Sequence, residues 1–202
     1  MMDNNRHIVI MAGPNGAGKS TSAPFLLRDC LAVDEYINAD VIAKGLSFFH
    51  PESAALEAGR VILGRIRQLV QKKVDFAFET TLASRAFAPW LKRLSESGYD
   101  SHLVFLALSD AETAIARVAS RVRMGGHHVP AEVIRRRYDA GIRNFFQLYM
   151  PIVTTWKVFD NSQPGLPVLF ADGGTDIPLN IRNNILYEKL LKGYDIACQK
   201  TR

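Results

Sequence analysis

The chain has 202 residues, 48% of them hydrophobic and 22% charged, the proportions of one soluble globular domain large enough to bury a core. Its longest apolar run, Leu103 to Leu108, falls far short of the about 20 residues that a bilayer-spanning helix needs, which argues against a membrane role. Seven arginines but only two acids, Glu132 and Asp139, lie between Arg117 and Arg143. That local excess of five equals the net charge of the whole chain, so the basicity is one patch and not a coating.

The polar start, MMDNNRH, runs straight into an apolar stretch and carries no signal-peptide pattern. Cys30 and Cys198 have neither metal spacing nor the density of a disulfide framework, so a cytoplasmic protein is expected. With no linker or repeat, residues 1–202 read as a single domain. In chain order, His7 to Met11 and then Tyr36 to Ala39 are strand-like. Pro51 is suited to opening a helix whose apolar positions Leu56, Ile62, Leu63, Ile66, Leu69 and Val70 recur every three or four residues. A strand over Val74 to Phe78 precedes a shorter helix carrying Phe87, Trp90, Leu91 and Leu94, closed by Gly98.

His102 to Leu108 is the next strand, and Ser109 with Glu112 forms a capping box for a helix bearing Ile115, Val118 and Val122. Pro130 opens a helix with Val133, Ile134, Tyr138, Ile142, Phe145 and Tyr149 along one side, and Pro151 ends it. Strands over Trp156 to Phe159 and Val168 to Ala171 follow, then an amphipathic helix with Ile181, Ile185, Leu190 and Leu191. Such alternation predicts a three-layer α/β fold, a mostly parallel sheet of five to six strands with helices on both faces. Ligands of that architecture gather at the carboxyl ends of the strands.

One such end carries a phosphate-binding pattern. After the first strand, GPNGAGKS (13–20) matches G-x-x-x-x-G-K-[ST], followed by the apolar helical stretch Phe25 to Leu27. Glycine lets the backbone turn its amides inward around a phosphate, and the helix start adds partial positive charge. Gly13, Asn15, Gly16, Ala17, Gly18, Lys19, Ser20 and Thr21 are therefore the nucleotide-binding candidates of a P-loop NTPase fold. Lys19 is placed to reach the β- and γ-phosphates of ATP and the Ser20 hydroxyl to hold Mg²⁺. Pro24 cannot donate to the Ser20 carbonyl, so local distortion of that helix is expected.

The next strand ends supply acids. Asp40, closing INAD, can orient an acceptor hydroxyl and take its proton, or serve as the N-cap of the following stretch. Glu79, in FAFETT, can hold a Mg²⁺-bound water or a substrate hydroxyl, with Thr80 or Thr81 binding substrate; the alternative is capping of a helix from Ser84 to Ser97. Following an apolar strand, Glu79 must be solvated in a cleft or paired.

Arg117 and Arg121 share a helix face, Arg123 lies near its end, and Arg135, Arg136 and Arg137 fan around the next helix. Two helices joined by a glycine-containing turn, residues 117–143, suit a lid that brings guanidinium groups onto a transferring phosphoryl group. A nucleic acid backbone and a solvated surface are the competing readings. The former is disfavoured because the nearby aromatics follow core spacing and the rest of the chain is neutral. His127 and His128 are adjacent and face apart, which does not suit a metal site.

Together GPNGAGKST, INAD, AFETT and RVRMGGHHVPAEVIRRRY resemble the zeta toxin family of P-loop kinases, specifically its small zeta-toxin-like branch, over roughly residues 8 to 161. The resemblance implies an adenylate-kinase-like α/β fold and transfer from ATP, with Mg²⁺, to a sugar hydroxyl of UDP-N-acetylglucosamine or a related small molecule. It implies Lys19 as the phosphate lysine, Asp40 as the base, and Glu79 with Thr81 as substrate contacts. Arg121 or Arg123, and then Arg136 or Arg137, become ligands of the γ-phosphate, and an antitoxin becomes a candidate partner. The toxins read Glu-Gly-Thr where this chain has Glu79-Thr80-Thr81, a difference in the substrate wall.

Overall fold

A computed structural model describes residues 6–28, 33, 35–47 and 55–200, the side chains of 39, 40, 43, 44, 55 and 56 excepted. Pro51 and Cys30 lie outside the described residues. The strands are β1 (Arg6–Ala12), β2 (Glu35–Ile37), β3 (Phe76–Thr80), β4 (Tyr99–Ala107), β5 (Thr155–Asp160), β6 (Val168–Gly174) and β7 (Asn180–Ile181). The helices are α1 (Lys19–Arg28), α2 (Ala39–Leu46), α3 (Ala55–Gln71), α4 (Phe87–Glu96), α5 (Ala111–Arg123), α6 (Ala131–Asn144) and α7 (Asn184–Gln199).

One sheet runs in the order β2-β3-β1-β4-β5-β6-β7. The pairs from β2 through β5 are parallel, and β6 and β7 are added antiparallel. Alternation along β1 divides the core: Ile8, Ile10 and Ala12 face one layer, Val9 and Met11 the other. The first layer holds α3, α4, α7 and the end of α6; the second holds α1 and α5.

Helix α6 belongs to both. Ile134 near its start is buried with the α5 layer, Ile142 near its end with the opposite layer, and Tyr138 between them packs against each. The helix therefore crosses over the carboxyl ends of the strands, and the Tyr138 phenol donates to the Leu108 carbonyl at 2.9 Å. It passes into a π turn, Phe145–Tyr149, where Met150 N donates to Phe145 O at 2.8 Å. This turn buries Phe145 and Tyr149 completely.

Three local expectations are corrected. Helix α5 is capped by Asp110, whose carboxylate accepts from Thr113 N at 2.7 Å, not by a Ser109–Glu112 box; Ser109 bonds the Thr113 hydroxyl and Glu112 pairs with Arg135. Ile181 lies in β7, a seventh strand beyond the five to six expected, because Asn183 caps α7 by accepting from Leu186 N. The helix expected from Ser84 starts at Phe87.

At the amino end of the sheet, His7 Nδ1 lies 3.0 Å from His102 Nε2, and His102 Nδ1 lies 2.8 Å from Thr155 Oγ1. Burial first, then the His7 ring and Lys157, hold the His102 pKa down, opposed by Asp100 and Asp75. The unfolded chain binds this proton more readily, so stability is fully present above the ordinary histidine value of about 6.5 and is lost as pH falls through it. In urea unfolding, the wild type is expected to lose stability relative to His102→Gln between pH 7.5 and 5.5; parallel pH profiles of the two proteins would contradict this.

Candidate active site

The turn between β1 and α1 is pressed from behind by α5 and by the segment just past β5. Gly16 has φ +76°, and a Cβ there would stand 2.9 Å from the Ala114 carbonyl of α5. Gly18 has φ +79°, and a Cβ would stand 2.8 Å from Asn161 Nδ2. That amide, just past β5, donates to the Ala17 carbonyl at 2.8 Å. The loop is thus held open by its surroundings, and α1 begins at Lys19 with Ser20 and Thr21 exposed in its first turn. Amides of a first helical turn have no partner within the helix and face whatever anion lies before them.

Lys19 Nζ lies across the loop, donating to the Gly13 and Pro14 carbonyls at 3.0 Å each. Asn15 Oδ1 is buried without a hydrogen-bond partner. Helix α1 runs on through Pro24, whose ring leaves the Ser20 carbonyl without its helical donor.

Asn38, at the end of β2, links two parts of the site. Its Nδ2 donates to Ser20 Oγ at 3.0 Å, while its Oδ1 accepts from Val41 N at 3.1 Å. Asn38 therefore makes the side-chain cap of α2 that was one reading of Asp40; Asp40 is the second residue of that helix, and its side chain lies outside the described residues.

Glu79 is half-buried and accepts a very short hydrogen bond from the Tyr36 phenol on the neighbouring strand. Burial first, then this carboxylate, push the Tyr36 pKa far above its ordinary value, so the phenol remains a donor at all physiological pH values. Of the two expectations for Glu79, solvation in a cleft or a partner, the second is met: Tyr36 fixes one carboxylate oxygen.

Thr80 Oγ1 accepts from Leu82 N at 3.0 Å and Thr81 Oγ1 from Ala83 N at 3.4 Å, so both hydroxyls shape the strand end and retain a proton to donate. This corner is clamped from α6 and the π turn. Asn144 Nδ2 donates to the Leu82 carbonyl at 2.7 Å, the Tyr149 phenol to the Ser84 carbonyl at 2.6 Å, and Gly141 lies against the Thr81 carbonyl.

The basic patch divides. Arg117 donates to the Ser162 carbonyl at 2.9 Å, Arg121 is half-buried and donates to His127 O at 3.0 Å, and Arg143 donates to Ala197 O at 3.0 Å. Arg135 pairs with Glu112 on the surface, where solvent screens the pair and it adds little to stability. Arg123 and Arg136 are exposed, and Arg137 is half-buried. The turn between α5 and α6 is anchored by Val129, so the expected lid is a compact helical hairpin.

Tyr36, Asn38 and Asn161 are site residues that sequence reasoning missed. Asn38 stands inside the quoted INAD; Asn161 touches the loop across 144 residues and carries no local signal. Among the described residues there is no cluster of three metal-ligating side chains, and no helix long and apolar enough to cross a membrane.

Gly16→Ala is expected to destabilise the protein by about 1–3 kcal/mol in urea unfolding, through left-handed strain and the close Ala114 carbonyl. Gly98→Ala, with φ +82° and open space around it, is expected to cost less. Equal losses would show that the wall of α5 yields freely.

The Zeta toxin family model matches residues 2–163. An uncharacterised protein of Haemophilus influenzae is 31% identical over 130 residues, 64% of this chain and 91% of that protein. A crystal structure of AvrRxo1-ORF1:-ORF2 with ATP superposes with a TM-score of 0.70 at 16% identity, over 92% of this chain; the chain spans only 63% of the length of that match. The PezAT chromosomal toxin–antitoxin system of Streptococcus pneumoniae gives 0.62 at 13% identity, covering 97% of this chain and 86% of the other. A gluconokinase from Sinorhizobium meliloti gives 0.51 at 14% identity, covering 98% and 96%. The glycine-lined turn, the strand order and the match over four-fifths of its length together place this chain in the zeta toxin family, with the α/β fold of P-loop kinases.

Proposed function

We propose that this protein is an ATP- and Mg²⁺-dependent kinase that transfers the γ-phosphoryl group to a hydroxyl of a small molecule, with a nucleotide sugar such as UDP-N-acetylglucosamine as the candidate acceptor. Membership of the zeta toxin family supports an ATP-using, kinase-like enzyme. The observation that carries the reading is the wedged loop: Gly16 and Gly18 take left-handed φ against α5 and Asn161, the first-turn amides of α1 follow directly, and Lys19 reaches across the loop.

ATP fits this cradle: Gly13 to Thr21 would take the phosphates through backbone amides, with the Lys19 ammonium moving from the loop carbonyls onto the β- and γ-oxygens. The donor set also fits Mg²⁺, which keeps several waters and takes few protein ligands. Ser20 Oγ, held by Asn38 Nδ2, would be its direct ligand, and Glu79 would reach it through water. Bound there, the ion would neutralise charge developing on the transferred group.

The remaining roles belong to side chains at neighbouring strand ends. Asp40 orients the acceptor hydroxyl and takes its proton. Glu79, steadied by Tyr36, and the Thr80 and Thr81 hydroxyls bind the acceptor. Arg121 or Arg123, and Arg136 or Arg137, are the γ-phosphate ligands of the hairpin, and of these Arg123 and Arg136 are exposed. Arg121 already serves the turn, so Arg123 is preferred in its pair. A protein antitoxin that covers the cradle is the proposed partner, as the PezAT system suggests by its name.

With labelled ATP and a panel of sugars, nucleotide sugars and nucleosides, one acceptor class is expected to become labelled. Lys19→Ala should lower the rate by a factor of about 100 or more. Asp40→Asn should lower it by about 100 to 10,000 while leaving ATP affinity near wild type. Near-normal transfer by Asp40→Asn removes the base assignment. Expression should arrest growth and a neighbouring gene product should relieve the arrest; indifferent growth argues against a toxin role.

A further inference from the structure

Behind the strand ends, on the face opposite α1 and α5, lies a cavity of about 190 Å³. That is the liquid volume of about six waters, less than the roughly 300 Å³ at which drug-sized sites begin. None of its wall comes from the phosphate loop, Asn38 or Glu79. One side is the end of β4 and β5 with α6; the other is Phe170 of β6 and the inner face of α7, which lie beyond the 2–163 span matched by the family. The cavity thus lies between the span matched by the family model and the elements that follow it.

Its chemistry is two-sided. Ile142, Phe170 and Leu190 are buried and form an apolar floor. Only two charged residues line it, Asp160 and Lys189, one of each sign, and they are not paired with each other. Asp160 Oδ1 accepts from Ser162 N at 3.0 Å and from the Ser162 hydroxyl. Lys189 is exposed, and its charge acts on Asp110 at longer range.

We propose that this cavity binds a small zwitterion, an α-amino acid with an apolar side chain. Its carboxylate meets Lys189, its ammonium meets the second oxygen of Asp160, and its side chain enters the floor of Ile142, Phe170 and Leu190. Opposite charges above an apolar floor match that class, whereas a simple anion would face Asp160 and a simple amine would face Lys189. The site adjoins the loop that braces the phosphate cradle: Asn161 holds the Ala17 carbonyl, and the Ser162 carbonyl accepts from Arg117.

The test uses the full-length protein and isothermal titration with each of the twenty amino acids, acetate and ethylammonium. An aliphatic amino acid is expected to bind one to one, with acetate and ethylammonium silent. Lys189→Ala, which loses one charge-assisted contact, should weaken it about ten-fold or more. Gly193 lines the cavity, and a Cβ there would make only an ordinary 3.6 Å contact with Ile142. Gly193→Leu should therefore fill the space and abolish binding while the melting temperature holds. Should Gly193→Leu fail to fold, Lys189→Ala decides alone. No amino acid binding at millimolar concentration, or equal binding by both variants, overturns the proposal. Lys19→Ala should bind the amino acid as the wild type does, so the result stands apart from any nucleotide activity.

Discussion

A backbone loop that must present its amides to a ligand cannot also satisfy them within the protein, so something else has to hold its shape. Here the holding comes from behind. The Ala114 carbonyl stands where Gly16 would carry a side chain, and Asn161 grips the Ala17 carbonyl while occupying the space beside Gly18. These contacts tie the loop to α5 and to the end of β5, so the geometry of the cradle depends on the sheet order that brings β1, β4 and β5 side by side. The front of the loop is left to amides, to Lys19 and to the exposed Ser20 and Thr21.

Helix α6 performs the same service for the other half of the site. It crosses the strand ends from one core layer to the other, and along its length it fixes Leu108 through Tyr138, Thr81 through the close approach of Gly141, and Leu82 through Asn144. The corner after β3 is thereby tied from several sides, although Leu82 adopts φ +54°. Strain of that kind persists only where surrounding contacts over-determine it. The strand end that carries Glu79 and the two threonines is consequently held by the same helix that carries Arg136 and Arg137, which ties that strand end to the arginine hairpin.

Charge in this protein is locally concentrated but unevenly employed. Arg117 and Arg143 spend hydrogen bonds on backbone carbonyls of β5's following loop and of α7, binding elements together. Arg121 closes the turn between α5 and α6, and Arg135 makes a surface pair. Arg123 and Arg136 remain exposed. An arginine-rich helix pair therefore serves as internal fastening as well as a cationic surface, which a count of charges does not distinguish.

Much of this was legible in the amino-acid order, because it rests on near neighbours. The glycine–lysine–serine pattern between an apolar run and a helix, the alternation of β1 and the three- and four-residue spacing of Ile134, Tyr138, Ile142 and Phe145 each depend on a few adjacent residues. So do six of the seven strands; the two-residue β7 is too short to show a period. Capping was misread at Asp110, and at α2 it was offered only as an alternative for Asp40 while Asn38 makes the cap, because serine, aspartate and asparagine compete for the same role and only backbone geometry selects one. What tertiary structure alone decided was the set of partners. Tyr36 on Glu79, Asn38 on Ser20 and Asn161 on Ala17 are separated by 43, 18 and 144 residues, and the pairs meet only because strands of one parallel sheet, adjacent or one apart, end on the same side. Local chemistry determined which groups could bind a phosphate; the strand order determined what holds them in place, since no sequence period encodes a contact between distant ends of a chain.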